Sequence, residues 1–253
     1  MNPKSIAVSI VIPAYNEVEN INKGVLDEVF TYTQKQPWNT QILLIDDGSN
    51  DETAKYLEAY CIGKRSWRLI RNTHGGKALA VKSGVLAAQG KFVLFTDFDQ
   101  ATPLSEVEKL LPFLRKGYAI AIGSREVQGS RRENEPLYRH LMGRIWNLVV
   151  QLLAIPGIRD TQCGFKLFKR EIAHELFQAL HVYADGEERE AYTGAFDVEL
   201  LYIAQKRGYQ IAEVPVHWKH MKTTRVSPLR DSVRMLSDLV RVRIADLQGK
   251  YDR

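Results

Sequence analysis

Four apolar runs in the first half of this chain each end on a polar or charged side chain, and that repeat restricts the fold more than any other feature. Ile6-Ala-Val-Ser-Ile-Val-Ile12 leads into Pro13-Ala-Tyr-Asn-Glu17, and Gln41-Ile-Leu-Leu-Ile45 leads into Asp46-Asp47-Gly48-Ser49. Lys91-Phe-Val-Leu-Phe-Thr96 leads into Asp97-Phe98-Asp99-Gln100, and Tyr118-Ala-Ile-Ala-Ile122 into Gly123-Ser124-Arg125. Runs this rich in β-branched and aromatic residues read as strands buried on both faces. Trp67 to Ile70 is a shorter one. Between them, apolar residues recur at helical spacing, as in Val18, Ile21, Val25, Leu26 and Val29, or in Leu79, Val81, Val85 and Leu86. A further helix is expected near Leu104 to Lys116. Strand alternating with helix predicts an α/β fold with a doubly wound, mostly parallel sheet flanked by helices. In such a sheet the strand ends gather on one edge, where ligands bind. Pro13 is expected to end the first strand. Asn16 is expected to cap the helix after it, and Ser49 or Asn50 the helix starting near Asp51.

The pair Asp97 and Asp99 is the sharpest local signal on that edge. Residues i and i+2 of a strand share a face, so the two carboxylates should point together. They repel unless a cation lies between them. A hard divalent ion that also holds phosphate oxygens meets that need; two solvated loop acids are the plainer reading. Asn72-Thr-His-Gly-Gly-Lys77 precedes a helix, and glycines there let backbone N–H groups approach a phosphate. It is not a P-loop, because residue 71 is Arg and residue 78 is Ala, and no G-x-G-x-x-G is present.

The second half reads differently. A helix from Pro136 to Ile155 carries Leu141, Ile145, Trp146, Leu148, Val149, Leu152 and Leu153, a broad apolar face. Core packing explains it by default, and a helix lying in a membrane interface is the alternative. Asp160 to Lys166 is a loop into a short element, Glu171 to Ala179 a helix, and Ala184 to Tyr192 a polar loop. Asp197 and Glu199 open another helix, either as favourable acids at its N-terminus or as acceptor-site carboxylates. Tyr209 to Val214 and Val216 to Trp218 are strands broken by Pro215, which argues for a sheet edge. From Pro228 on, Leu229, Val233, Leu236, Val240, Ile244 and Leu247 form one face of a C-terminal amphipathic helix, residues 228–253, with Arg230, Arg234, Arg241 and Arg243 opposite. That helix would pack on the domain, bind a partner helix or lie on anionic lipid.

The net charge of +5 favours anionic partners. The cations lack the aromatic interleaving of a single-strand nucleic-acid groove, so nucleic acid is not expected. Two cysteines without a pairing pattern point to a reducing compartment. No signal peptide opens the chain, and its most apolar segment is shorter than the roughly 20 residues that span a bilayer. A cytoplasmic protein, peripheral on the membrane's cytoplasmic face and without a transmembrane helix, is the expectation.

Pro13-x-Tyr-Asn-Glu17, Asp46-Asp47-Gly-Ser, Asp97-x-Asp99 and Gly123-Ser-Arg125, in that order, resemble the inverting family 2 glycosyltransferases of GT-A fold. Leu137-Tyr-Arg139, Asp160-x-x-Cys-Gly-Phe-Lys166, Ala195-Phe-Asp-Val-Glu-Leu-Leu201 and Glu213-Val-Pro-Val-x-Trp218 are similar to the polyprenyl or dolichyl phosphate sugar transferases, the glucosyl branch above all. The resemblance implies a GT-A domain over residues 1–227, its donor half about 1–125 and its acceptor half about 126–227. It implies that Pro13, Tyr15, Glu17, Ile45 and Asp47 line the base and ribose, supported by Asp46, with Lys77 near the diphosphate. It assigns Mg²⁺ or Mn²⁺ to Asp97 and Asp99, and the lipid phosphate to Arg125, Arg139 and Arg225. Phe98 joins the donor-site residues, with its ring turned into packing. The donor would be UDP-glucose, with GDP-mannose as the other candidate. Asp99, Arg125, Arg139 and Asp197 are the catalytic candidates. Three positions depart from the pattern: Phe98 where a small residue is common, Ala101 where some relatives place a metal-contacting Gln, and Arg225 where Lys is usual. The membrane helix common at the N-terminus of eukaryotic members is also missing, which leaves the two amphipathic helices to meet the membrane. The other readings are a family 2 enzyme acting on a soluble glycan or protein, a nucleotidyltransferase, and a sugar-nucleotide or anionic-lipid binding protein without turnover.

Overall fold

The computed structural model describes residues 6–183, 195–221 and 228–252, leaving aside the side chains of Arg139 and of residues 228–232. The chain forms β1 (Val8–Ala14), α1 (Val18–Asn22), α2 (Val25–Gln34), β2 (Thr40–Asp46), α3 (Thr53–Cys61), β3 (Trp67–Arg71), α4 (Lys77–Leu86) and β4 (Phe92–Thr96). A 3-10 turn at Leu104–Glu106 precedes α5 (Val107–Arg115), β5 (Ile120–Ser124), β6 (Arg131–Glu133) and α6 (Leu137–Leu153). Then come β7 (Phe165–Lys169), α7 (Arg170–Gln178), α8 (Phe196–Lys206), β8 (Ile211–Pro215), β9 (His217–Lys219) and α9 (Pro228–Leu247).

Seven strands make one sheet in the order β3-β2-β1-β4-β7-β5-β8. All neighbours are parallel except β7, which runs antiparallel to both β4 and β5. The pleat sends alternate side chains to opposite faces. Val11, Leu43, Ile45, Val93 and Phe95 pack towards α4, α7, α8 and α9. Ile10, Ile12, Ile42, Leu44 and Leu94 pack towards α2, α3 and α5. The doubly wound reading therefore holds.

Several local expectations are corrected. Pro13 does not end β1; it pairs with Ile45 of β2. The ladder to β4 stops at Val11, and Ala14 offers its carbonyl to Asp47 on the β2 side. By alternation Pro13 turns its missing N–H to the side where the ladder has already ended. Asn16 does not cap a helix: it lies at φ 55°, and its Oδ1 accepts the Asn50 N–H. The α3 start is served by Asp51, whose Oδ1 accepts the Thr53 N–H, not by Ser49 or Asn50. β7, a central strand, sits where a short element was expected. Pro215 ends β8 at the sheet edge, as expected, and β9 leaves to pair with β6. The loop expected over Ala184 to Tyr192 lies outside the described residues.

The C-terminal helix also packs differently. Leu239, Val242 and Ala245 enter the core, while Val233, Leu236, Val240, Ile244 and Leu247 stay exposed. α6 does the same. Val150 is buried and Trp146 and Val149 pack on the core, but Leu137, Leu141, Ile145, Leu148 and Leu152 face outward. Of the 15 large hydrophobic side chains exposed among the described residues, 12 belong to these two helices, so the exposure is concentrated rather than scattered.

Candidate active site

The polar strand ends meet at the C-terminal edges of β1, β2, β4 and β5, and the antiparallel β7 brings its N-terminal approach to the same place. Asp97 follows β4 directly; its N–H donates to the Gly164 carbonyl at 3.2 Å. Gly164 lies against the Asp97 carboxylate so closely that a Cβ there would sit 2.0 Å from Oδ2. Lys77, the first residue of α4, places its ammonium on Asp97 Oδ1. Asp99 accepts the Ala101 N–H at 3.0 Å. Burial, and after it the nearby Asp97 charge, push the Asp99 carboxyl up to about 6. Phe98, between the acids, is 3% exposed and packs among the side chains under the sheet. Gln100 lies at φ 49°, a conformation uncommon outside glycine and asparagine. Its Nε2 donates to the Asp97 carbonyl at 2.7 Å, and its buried Oε1 has no partner.

The other end of the edge is built on Asp47. Its carboxylate accepts the Gly75 N–H at 3.1 Å, the Gly76 N–H at 2.9 Å and His74 Nδ1–H at 2.8 Å. Burial raises its pKa against those contacts. The His74 ring stacks on Tyr15, with centroids 4.2 Å apart and planes 16° apart. Gly48, at φ 68°, is required here, since a Cβ would lie 2.6 Å from the His74 backbone nitrogen. Asp46 is buried and accepts the Ser49 N–H at 3.3 Å. Glu17 is buried behind Tyr15; its N–H donates to Thr53 Oγ1, and its carboxylate accepts from Asn20 at 2.5 Å. Pro13 is buried in β1, and the Ile45 side chain points into the core. Only the backbone of Ile45 reaches the edge.

A profile of the Glycosyl transferase family 2 domain matches residues 9–177, well over half of the chain. The chain is a family 2 glycosyltransferase. It is 35% identical to the dolichyl-phosphate beta-glucosyltransferase of Dictyostelium discoideum, over 97% of this chain and 76% of the relative. It is 35% identical to the Homo sapiens protein of the same name, over 96% and 77%. Among solved structures, glucosyl-3-phosphoglycerate synthase from Mycobacterium tuberculosis, in complex with Mn²⁺, UDP and glucosyl-3-phosphoglycerate, matches with a TM-score of 0.66 at 18% identity, over 94% of this chain and 80% of that one. The mannosyltransferase PcManGT from Pyrobaculum calidifontis, in complex with GDP-Man and Mn²⁺, matches with a TM-score of 0.63 at 18% identity, over 97% and 65%. These two likenesses carry the GT-A fold.

The second half of this glycosyltransferase supplies a guanidinium and a buried ion pair. Arg125 directly follows β5, and its Nε and one terminal nitrogen each donate at 2.8 Å to Asp160, which is fully buried. Burial opposes the Asp160 charge, but the Arg125 guanidinium holds its carboxyl below the usual range. The Arg125 plane also lies 5.2 Å from the Trp218 ring centroid. Lys166, fully buried on β7, donates to Asp197 Oδ1 and to the Cys163 carbonyl, both at 2.6 Å. Glu199 points elsewhere. It accepts the N–H groups of His181, Val182 and Tyr183 and the hydroxyl of Tyr251, so it ties the chain's end to the core and is not open to an acceptor. Arg139 stands in the first turn of α6, its side chain outside the described set, and Arg225 lies outside the described residues.

Among the described residues no three His, Cys, Asp or Glu side chains converge on one metal position. The edge nevertheless suits a divalent ion that takes its remaining ligands from phosphate and water. Two carboxylates repel there, and Gln100 Oε1 is buried without a partner. Sequence reasoning missed His74, whose place opposite Tyr15 depends on the turn at Gly48. It also missed the contact of Gly164 with Asp97, because nothing local to either residue shows that β7 runs beside β4.

Proposed function

We propose that this enzyme transfers glucose from UDP-glucose to a polyprenyl or dolichyl phosphate at a membrane surface, with inversion at the sugar. One observation carries the reading: a guanidinium with N–H donors to spare and a carboxylate pair with its own cation stand on one sheet edge. Arg125 is bonded to Asp160, on the same loop as Gly164; the Gly164 carbonyl accepts the Asp97 N–H, and Lys77 lies on Asp97. The names of the relatives at about a third identity supply the sugar and the lipid.

In this reading Tyr15, Asp47 and the backbone at Ile45 take the nucleoside, with Pro13, Glu17 and Asp46 behind them. Lys77 meets the diphosphate. Asp97 and Asp99 would hold Mg²⁺ or Mn²⁺, whose contribution is Lewis-acid neutralisation of charge on the leaving diphosphate. Arg125 uses two of its five N–H donors on Asp160, which fixes the guanidinium plane and leaves the rest for an anion. The acceptor phosphate is already anionic near pH 7, so it needs orientation more than deprotonation. Arg139 and Arg225 complete its grip. Asp197 is neutralised by Lys166 and acts on the site by holding Lys77 rather than as a base. In-line attack turns an α-linked donor into a β-linked product.

Residues 1–125 act as the donor half, 126–227 as the acceptor half, and 228–253 as the C-terminal segment that carries the amphipathic helix α9. Among the described residues no helix is long and apolar enough to cross a membrane. The outward apolar stripes of α6 and α9, with the arginines around them, would rest in the cytoplasmic leaflet and bring the site to the lipid phosphate. The test is transfer of label from UDP-glucose, or GDP-mannose as the second donor, to polyprenyl phosphate in detergent micelles with Mn²⁺. Lipid-extractable label is expected. Folded protein that yields none with either donor would refute the acceptor.

A further inference from the structure

Lys77 stands within the field of three carboxylates. Asp97, Asp197 and Asp99 all raise its pKa against the effect of burial, and its ammonium rests on Asp97 Oδ1. The second ammonium of the edge, Lys166, is already committed to Asp197 and the Cys163 carbonyl. Lys77 therefore takes the position on Asp97 that a divalent ion would need. Two cations on one carboxylate oxygen repel each other, so the lysine and the ion compete for Asp97. The lysine's way out is short. It starts α4 directly behind Gly75 and Gly76, whose N–H groups are held by Asp47 at the nucleoside end. A diphosphate running from Asp47 towards Asp97 would pass in front of it.

We propose that Lys77 is a positioning residue that couples metal entry to donor binding: it neutralises Asp97 in the resting enzyme, yields that carboxylate to the metal, and moves to the donor diphosphate. This rests on the metal-and-donor reading above. Its consequence is an order of events. A metal alone must displace the ammonium from its contact on Asp97 without giving it a new phosphate partner, so it binds weakly. A nucleoside diphosphate gives the lysine a new partner, and the metal then binds well. Lys77 is thus a competitor of the metal when alone and an ally when UDP is present.

Mn²⁺ binding, followed by the spectrum of the free ion in electron paramagnetic resonance, separates these roles without turnover. The natural enzyme should bind Mn²⁺ weakly alone and at least about tenfold more tightly with UDP. Lys77→Met should bind Mn²⁺ alone more tightly than the natural enzyme, by about tenfold, and Mn²⁺ with UDP less tightly. Lys77→Arg, which keeps the charge, should restore weak binding of Mn²⁺ alone. A residue that only contacts diphosphate, or only supports the fold, would not tighten binding of the bare metal on removal. Should Lys77→Met not fold, Lys77→Gln takes its place in the same titration. Unchanged or weaker binding of Mn²⁺ alone in a folded neutral variant overturns the coupling and leaves the donor reading standing. Failure of the natural enzyme to bind Mn²⁺ even with UDP overturns both.

Discussion

At the scale of single residues, the site keeps two acids where folding would prefer one. Asp99 titrates near 3.9 in an unfolded chain and at about 6 in the folded one, through burial first and Asp97 second. The folded state thus holds this proton more tightly. The stability it brings is complete below about pH 4 and is lost as the pH rises through 6. Asp99→Asn, in the presence of EDTA, should be more stable than the natural protein at pH 8 by on the order of 2 kcal/mol and nearly equal to it at pH 4. Urea midpoints at the two pH values measure this; equal midpoints at pH 8 would contradict the assignment. The acids themselves were legible from sequence because a strand ends at them. Their neighbours were not. Gly164 is 67 positions away, and no rule of local spacing joins it to Asp97.

At the scale of elements, helical periodicity located α6 and α9 but did not say which side faces the core. Both helices carry more apolar residues than one buried stripe requires. In α9 the residues that pack are Leu239, Val242 and Ala245, and the longer repeat beginning at Val233 stays outside. A period of 3.6 identifies a face; only the tertiary partner decides which face is used. Replacing Leu141 and Leu148 of α6 together by Ser should change the stability of the fold by no more than about 0.5 kcal/mol per site, since both are exposed. The same variant should lower co-sedimentation with vesicles containing one-third anionic lipid by about tenfold, from the transfer cost of the lost side chains. Unaltered partitioning would remove α6 from the membrane reading.

At the scale of the whole molecule, the alternation of strands and helices was enough to read the parallel sheet, because each run is long and bounded. The order of strands was not readable, since β7 enters between β4 and β5 from the opposite direction. Nor was the role of Glu199, which sequence spacing placed beside Asp197. Its carboxylate instead gathers three backbone N–H groups after α7 and the hydroxyl of Tyr251, near the chain's end. Glu199→Ala would take the shared acceptor from four donors, two in buried and two in part-buried bonds, and should cost about 3 kcal/mol. A denaturant midpoint reads the loss. Turnover per folded molecule should be unchanged, and a selective loss of turnover would show that Glu199 also serves the site.

The reversed strand has a consequence during synthesis. β5 ends at Ser124, but the strand that joins it to β4 is complete only at Lys169, 45 positions later. At about 5–20 residues per second, the emerging chain carries two open strand edges for several seconds. Hydrogen-bonding groups left open in this way invite pairing with the wrong chain. The protein therefore still lacks an unbroken sheet when Ser124 leaves the ribosome. Its yield in the cell should depend on how fast, and how well chaperoned, the following 45 residues arrive.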